Sequence, residues 1–284
     1  MSADSTGRPP TDVSAVVELP APAKLTLSLK IVGVRRDGFH RLESEMVSVD
    51  LADTLKVRKG DQLGVTVATV DASSRVEDED EASGRSVPVG PDNLVSRALR
   101  AVGRQAHVEL VKRVPPGAGL GGGSADAAAI LRWAGCHDVG VALSLGADVP
   151  FCVTGGRAVV RGVGEDIESL PYEERVFTLL LLPFGMDTAA VYRAWDRMAA
   201  TGRPGAEGHR DNDLEVAAQQ VDGRLAQWKE TLAQASGRVP RLAGSGSTWF
   251  VEGTSAELGL ADRFLHRGRE RARLVEVRTV PGLT

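Results

Sequence analysis

A glycine-rich segment constrains this chain more than any other feature. Residues 115–126 read PPGAGLGGGSAD and include five glycines. Glycines remove the side chains that would hold a backbone away from a bulky anion. The helix predicted to follow offers unpaired N–H groups and the positive end of its dipole. The segment therefore predicts a phosphate-binding loop between a strand and a helix.

Two other interpretations of this segment are open. It could be a flexible linker, but two prolines stiffen its start, and Ser124 with the alanines after it predicts an immediate helix. Gly117, Gly119 and Gly122 also satisfy GxGxxG, the dinucleotide-binding pattern, although the strand before them alternates polar and apolar residues, unlike a Rossmann first strand. No GK[ST] follows a glycine turn, so the sequence contains no Walker A loop.

Period-two patterns predict strands in the first part of the chain. Residues 23–32 alternate leucine or isoleucine with lysine, threonine or serine. Further alternations run from Val47 to Val57 and from Leu63 to Val67. We expect all three to be antiparallel strands. Residues 108–114 predict the strand that enters the glycine loop, and the continuous apolar run 176–182 predicts a strand buried on both faces.

Capping residues predict the helices. Asp92 would begin a helix that ends at Gly103, and Ser124 would precede a helix that reaches about Trp133. Residues 141–145 would form a short helix before Asp148, and Pro150 would stop any continuation of it. Asp187 or Thr188 would cap a helix ending before Gly202, and Asp213 a longer one to about Ala235. Residues 248–252 and 274–279 predict strands. Loops are expected at residues 71–91, which carry an acidic run, and at residues 202–211.

Charge and cysteine content exclude several classes of protein. Lys and Arg number 34 against 38 Asp and Glu, for a net charge of -4, and the basic residues are scattered, which argues against a nucleic-acid partner. Cys136 and Cys152 form neither a CxxC pair nor a secretory framework, so we expect a reducing cytoplasm and neither a metal site nor a structural disulfide at these cysteines. The first residues lack the apolar core of a signal peptide, and no window has the length of a membrane span, so no membrane partner is expected.

Three separated segments resemble the GHMP small-molecule kinases. They are PAKLTLSLKIVGVRRDGFHRLES at 22–44, PPGAGLGGGSADAA at 115–128 and LGADVPFCVTGGRAVVRGVGE at 145–165. DNDLE at 211–215 and AGSGST at 243–248 extend the match weakly. The DGFH and LGADVP segments are most similar to the branch that phosphorylates a cytidine diphosphate-linked methylerythritol for non-mevalonate isoprenoid biosynthesis.

The resemblance implies an α+β fold in two domains and an ATP-dependent kinase. Residues 15–170 would form the N-terminal ATP-binding domain, like the second domain of ribosomal protein S5, and residues 171–284 the C-terminal α+β domain. The boundary rests on Pro171 and the charged cluster after it. The loop that would wrap ATP comprises Pro115, Pro116, Gly117, Ala118, Gly119, Leu120, Gly121, Gly122, Gly123, Ser124 and Ala125. Mg²⁺ is expected to accompany ATP, with Ser124 as a candidate contact.

The resemblance also implies the catalytic pair and the acceptor site. Lys24 and Asp148 match the family's catalytic lysine and aspartate. Thr26, Phe39, His40 and Tyr192 are the substrate-binding candidates; stacking between aromatic rings with hydrogen bonds to the base edge is a suitable way to bind cytosine.

The chain departs from the family pattern at three places, and these keep other functions open. Thr26 stands where the family usually has Asn, and Phe39 where Tyr is common. The stretch 133–144 is shorter than is usual in the family. This leaves open that the helix presenting Asp148 is shifted and that the chain is a paralogue with a different function. The alternatives are a GHMP kinase for another alcohol, such as mevalonate or homoserine, and a non-catalytic nucleotide-binding protein. Retention of both Lys24 and Asp148 argues against the second, because binding needs only the loop.

Overall fold

A computed structural model describes residues 16–60, 64–69, 87, 90–201 and 211–283. Leu63, most of the predicted acidic loop and residues 202–210 of the second predicted loop lie outside this part of the chain. The described residues form two sheets, with helices packed against each, as expected for an α+β protein.

The first sheet is built around one long strand. Its described strands are β1 Val16–Val34, β2 His40–Lys59, β3 Gly64–Thr69, β4 Ala106–Lys112, β5 Arg157–Gly162 and β6 Asp166–Leu170. β1 pairs antiparallel with β2, and the order along the sheet is β3-β4-β2-β5-β6. β2 is therefore the central strand: it pairs with β1 at one edge and with β4 and β5 at the other.

The second sheet follows in the chain. Its described strands are β7 Val176–Leu181, β8 Arg241–Leu242, β9 Trp249–Glu252, β10 Phe264–Arg267 and β11 Glu270–Arg278, in the order β10-β11-β7-β9-β8. β7 is buried on both faces, as its continuous apolar run predicts. Phe177 and Leu179 face the leucines of β1, whereas Leu180 packs on the helical layer behind the sheet.

Seven helices complete the described residues. They are α1 Leu94–Ala101, α2 Gly122–Trp133, α3 Val139–Leu145, α4 Val149–Thr154, α5 Thr188–Ala200, α6 Glu215–Val221 and α7 Arg224–Ser236. The first four pack on the first sheet, where α2 buries an alanine-rich face. Alanine has the highest helix propensity and the smallest side chain that favours helix, so α2 can lie close to its neighbours. The last three cover the second sheet.

An apolar core joins the two sheets. Leu25 and Leu27 of β1 pack with Val49 of β2, Phe177 of β7 and Phe250 of β9. Burial of such side chains contributes roughly 1.5–3 kcal/mol each. The middle of β1, which includes Lys24 and Thr26, is thus held between the two sheets.

Several local predictions were wrong. β3 pairs with β4 in parallel, because the chain passes through α1 between them and a crossover brings the second strand back in the same direction. Asn93, not Asp92, caps α1: its side chain accepts a hydrogen bond from Val95 N at 2.8 Å.

The predicted positions of Ser124 and Pro150 relative to the helices were also wrong. α2 begins at Gly122, so Ser124 lies in its first turn rather than before it. Pro150 does not end a helix: it lies in the first turn of α4, where the missing N–H costs nothing.

The long helix predicted after Asp213 is two helices. α6 ends where Asp222 takes an extended conformation, and α7 begins two residues later. Asp213 caps neither helix. Its carboxylate instead accepts hydrogen bonds from Ile31 N at 2.9 Å and from Lys30 Nζ at 3.2 Å, which docks the segment on β1.

Candidate active site

A cavity of about 530 Å³ lies where the glycine loop meets β1 and the turn before β9. Its lining includes Lys24 and Thr26 from β1, Asp148 from the α3–α4 connection and Tyr192 from α5. Nine of the eleven predicted loop residues also line it: Pro115, Pro116, Gly117, Ala118, Gly119, Gly121, Gly122, Gly123 and Ser124. Leu120 and Ala125 are buried in the apolar cores instead.

The loop backbone needs glycine at alternate positions. Gly117, Gly119 and Gly121 have φ values of 65°, 79° and 67°, in the left-handed region that other residues avoid. The first hydrogen bond of α2 joins Ala125 N to Gly121 O at 2.9 Å. The N–H groups of residues 122–124 therefore have no acceptor within the helix, and all three residues line the cavity. This is an anion-binding arrangement.

Backbone hydrogen bonds from three different elements hold the loop. Met186 N donates to Gly117 O at 3.1 Å, Thr248 N to Ala118 O at 3.1 Å, and Lys24 N to Leu120 O at 3.0 Å. A Cβ at Gly119 would lie 2.8 Å from Gly246 O and closer still to Ala243 O. The AGSGST turn thus packs directly against the glycine loop, a role that its sequence alone did not reveal.

Lys24 and Asp148 meet in the cavity. Lys24 Nζ lies 3.3 Å from Asp148 Oδ2 and donates to Thr26 Oγ1 at 3.0 Å. Lys24 is only 5% exposed, whereas the Asp148 side chain is 31% exposed and open to the cavity. The pair thus places a buried ammonium group beside a carboxylate that is partly exposed to the cavity.

The Lys24 side chain passes between two glycines. A Cβ at Gly121 would lie 2.8 Å from Lys24 Cγ, and a Cβ at Gly244 would lie 3.3 Å from Lys24 Nζ. Both turns must therefore lack side chains at these points for the amine to reach Asp148. Gly121 is required by a neighbouring protein side chain as well as by any ligand.

Asp148 owes its orientation to the short connection between α3 and α4. Gly146 ends α3 in an extended conformation, and Asp148 is the N-cap residue of α4, yet its carboxylate makes no capping hydrogen bond. The side chain is thus directed to Lys24 instead of the helix end. The short stretch 133–144 contains most of α3 and does not displace the aspartate from the lysine.

The acceptor-side candidates are only partly brought together. Tyr192 lines the cavity, and the centroid of its ring lies 4.8 Å from that of His40, at an interplanar angle of 34°. Asp196 Oδ1 lies 2.7 Å from His40 Nε2. Burial raises the pKa of the Tyr192 hydroxyl. Phe39 is 64% exposed and does not line the cavity, so the structure does not place it opposite Tyr192.

Sequence reasoning missed several polar residues around the cavity. Thr188 Oγ1 and Ser245 Oγ lie 2.9 Å apart on its lining. Asn212 is buried and donates to Leu242 O at 2.8 Å and to Gly244 O at 2.7 Å, which ties the DNDLE segment to the AGSGST turn. Both segments match the family weakly in sequence, and this match is the signal available for Asn212. Thr188 is predicted from the sequence only as a candidate helix cap.

In the described ranges, no group of three or more His, Cys, Asp and Glu side chains is placed to hold a metal ion. Ser124 lines the cavity at the first turn of α2. None of the helices in the part of the chain that the structure describes has both the length and the apolar character needed to cross a bilayer.

Comparison with known proteins agrees with this geometry. Residues 93–156 match the family model described as the GHMP kinases N terminal domain. A crystal structure of 4-(cytidine 5'-diphospho)-2C-methyl-D-erythritol kinase superposes with a TM-score of 0.66 at 27% identity, covering 94% of this chain and 100% of that one. A mevalonate kinase from L. major has a TM-score of 0.59 at 12% identity, covering 96% and 98%, and so shares the fold.

Proteins with similar sequences indicate one branch of this family. The 4-diphosphocytidyl-2-C-methyl-D-erythritol kinase of Paracoccus denitrificans is 35% identical over 81% of this chain and 84% of its own length. That of Pelotomaculum thermopropionicum is 35% identical over 89% and 94%. That of Moorella thermoacetica is 39% identical over 64% of each chain.

The fold, the glycine loop and the paired lysine and aspartate together define a small-molecule kinase of the GHMP class. Within that class, the chain belongs to the family of 4-diphosphocytidyl-2-C-methyl-D-erythritol kinases.

Proposed function

We propose that this chain transfers the γ-phosphoryl group of ATP to the 2-hydroxyl of 4-diphosphocytidyl-2-C-methyl-D-erythritol, giving the 2-phosphate and ADP. The reaction would serve non-mevalonate isoprenoid precursor biosynthesis, in the cytoplasm. The family relationship supports the acceptor. The observation that carries the proposal is the contact between Lys24 and Asp148, at 3.3 Å, in the same cavity as the glycine loop.

The loop is suited to hold the triphosphate. Residues 122–124, at the positive end of the α2 dipole, line the cavity and have N–H groups without an acceptor in the helix. Three backbone hydrogen bonds from other elements fix the loop before a ligand arrives. Such preorganisation matters because phosphoryl transfer relies mainly on positioning and charge stabilisation.

Asp148 is the proposed general base. As the acceptor hydroxyl oxygen forms a bond with the γ-phosphorus, the bond from that phosphorus to the oxygen bridging to the β-phosphate breaks and ADP leaves. The hydroxyl proton passes to the Asp148 carboxylate. Proton transfer of this kind typically contributes about 10² to 10⁴ in rate.

Lys24 is proposed to stabilise negative charge on the transferred group. Its burial strengthens this effect, because a charge shielded from water acts on its neighbours through a lower effective dielectric constant. Thr26 accepts a hydrogen bond from the Lys24 amine. In this chain, threonine therefore positions the lysine at the place where the family usually has asparagine.

A magnesium ion is expected to accompany ATP, and it would supply positive charge that neutralises part of the charge of the phosphates. The hydroxyl of Ser124, in the first turn of α2, is the proposed protein contact. A hydroxyl is a suitable oxygen ligand for this hard cation, which usually keeps several waters and binds through phosphates.

The acceptor's cytosine is proposed to bind on the Tyr192 side of the cavity. The Tyr192 ring lines the cavity, and the His40 ring packs against it. Phe39 would have to move to contact a ligand there. The division into domains at residues 170 and 171 is likewise proposed; the break between β6 and β7 supports it.

A coupled ADP-release assay tests the function. The purified chain should release ADP with ATP, Mg²⁺ and the cytidyl acceptor, and mass spectrometry should find the 2-phosphate. Mevalonate and homoserine serve as comparison acceptors. Turnover of either one with none of the cytidyl compound would refute the proposed acceptor. ATP binding without turnover of any acceptor would favour a non-catalytic nucleotide-binding protein.

A further inference from the structure

Three charged side chains form a buried cluster beneath the glycine loop. Lys112 Nζ donates to Asp53 Oδ2 and, at 2.8 Å, to Asp126 Oδ2. Asp53 is 0% exposed, Asp126 2% and Lys112 3%. The proposed phosphoryl transfer uses none of them. We call these three residues the buried triad.

The triad joins both ends of the loop to the sheet. Asp53 lies on β2, and its Oδ1 accepts hydrogen bonds from Arg113 N at 2.5 Å and Val114 N at 2.8 Å, just before the loop begins. Asp126 lies on α2, directly after Ala125, the last residue of the loop. Lys112, the last residue of β4, connects the two carboxylates. The segment that would bind phosphate is thus bracketed by one ionic cluster.

The Lys112 amine also lies against the first residue of α2. A Cβ at Gly122 would be 3.1 Å from Lys112 Nζ and 2.9 Å from Val114 Cγ1. Gly122 therefore allows the first residue of α2 to pack closely against both Val114 and the Lys112 amine. The start of the helix is thus in contact with the triad.

The charges of the triad indicate positioning and not direct attraction of phosphate. Two carboxylates face a single ammonium group, so the cluster adds no net positive charge to the loop. Buried charges are expensive to keep, and replacing such clusters by apolar groups is often neutral for stability. A cluster retained at this place is therefore better explained by geometry than by stability.

We propose that Asp53, Lys112 and Asp126 are positioning residues for ATP: they hold the two ends of the glycine loop at the separation that the triphosphate requires. This inference rests on the proposed function, since it assumes that the loop binds ATP. It assigns a role to three buried residues, two of which, Lys112 and Asp126, also belong to the lining of the cavity.

Replacement of Asp126 tests the inference. Asp126→Leu removes the tie between Lys112 and α2 but leaves Lys112 paired with Asp53. We expect the dissociation constant of ATP, measured by calorimetry, to rise at least about tenfold, because misplacement of binding groups by a fraction of an ångström is costly. The KM for the acceptor should change little. Asp126→Asn retains an oxygen that can accept from Lys112 Nζ, and it should bind ATP nearly as the wild type does.

A matched control separates positioning from loss of stability. Glu215 is also buried and lies 2.6 Å from a lysine amine, that of Lys229, but it does not line the cavity. Glu215→Leu should leave ATP affinity unchanged even if its melting temperature falls as far as that of Asp126→Leu. If Asp126→Leu does not fold, Asp126→Ala provides the same test, because alanine favours helix and leaves room for water beside the amine.

The outcomes distinguish the inference from the proposed function. Wild-type ATP affinity in Asp126→Leu and Asp126→Ala, or an equal rise in the acceptor KM, would overturn the positioning role while kinase activity of the wild type still stood. A wild type that binds ATP but phosphorylates no cytidyl acceptor would overturn the function, and the affinities of the variants would still decide the role of the triad.

Discussion

Lys24 Nζ and Asp148 Oδ2 lie 3.3 Å apart, although the two residues are far from one another in the chain and belong to different elements. The contact depends on two glycine turns. Gly121 and Gly244 flank the lysine side chain, and neither leaves room for a β-carbon without displacing it. The two turns therefore act on the chemistry through Lys24 as well as through any ligand they touch.

Asp148→Asn should separate binding from chemistry. The amide cannot take up the acceptor proton, so we expect kcat to fall by about 10² or more, with ATP affinity nearly unchanged. ADP release and ATP calorimetry measure the two quantities. Asp166→Asn, an exposed substitution on β6, is the control and should match the wild type in both. Full turnover by Asp148→Asn would remove the aspartate from the mechanism.

Gly121→Ala should slow turnover by displacing Lys24. Its added Cβ would lie 2.8 Å from Lys24 Cγ, so the amine would have to leave Asp148. Gly135→Ala is a matched control, since Gly135 has nearly the same φ, 69° against 67°, and a Cβ there would meet nothing within 4 Å. Both variants incur the backbone cost of roughly 1–2 kcal/mol. Both variants should lose this much stability, but only Gly121→Ala should also have a lower kcat. Equal kcat values in the two variants would show that backbone strain alone accounts for the glycine at position 121.

Asn212→Ala should destabilise the protein and loosen the AGSGST turn. It removes the donor for Leu242 O and Gly244 O and leaves two buried carbonyl groups without it. An unsatisfied buried group costs about 1–3 kcal/mol, and urea unfolding should show a loss of this size. Asn212→Asp keeps the shape but not the donor. Stability equal to the wild type in both variants would mean that the two hydrogen bonds contribute nothing.

The sequence predicted the elements of this site better than their ends. β1 and the loop were foreseeable, because period-two alternation and a glycine cluster are local signals. The parallel pairing of β3 was not, because it depends on a crossover through α1 that strand patterns do not encode. The direction of the Asp213 side chain was also out of reach: a contact with β1 replaced the expected helix cap.

The residues of the site were likewise only partly predictable from the sequence. Family resemblance brought together Lys24, Asp148 and Tyr192, all of which line one cavity. It did not indicate that Phe39 lies on the surface, nor that a buried cluster supports the loop. Asp53 and Lys112 occupy ordinary strand positions, and only the pairing of β2 with β4 brings their side chains together beside α2.

The Asp126 carboxyl should make the stability of the protein depend on pH. Burial raises its pKa from 3.8 to about 7, with Lys112 opposing the shift and Asp53 adding to it. The folded state therefore holds this proton more tightly than the unfolded state does. The stability from this group is fully present below a pH of about 4 and is lost as pH rises to about 7.

Asp126→Asn cannot titrate, so its unfolding free energy relative to the wild type should increase between those pH values and then level off. Urea unfolding of both proteins at intervals from pH 4 to 8 measures this difference, which cancels the contributions of groups whose pKa is lowered, such as Glu252. A constant difference across the range would mean that Asp126 stays ionised throughout, held so by the Lys112 amine.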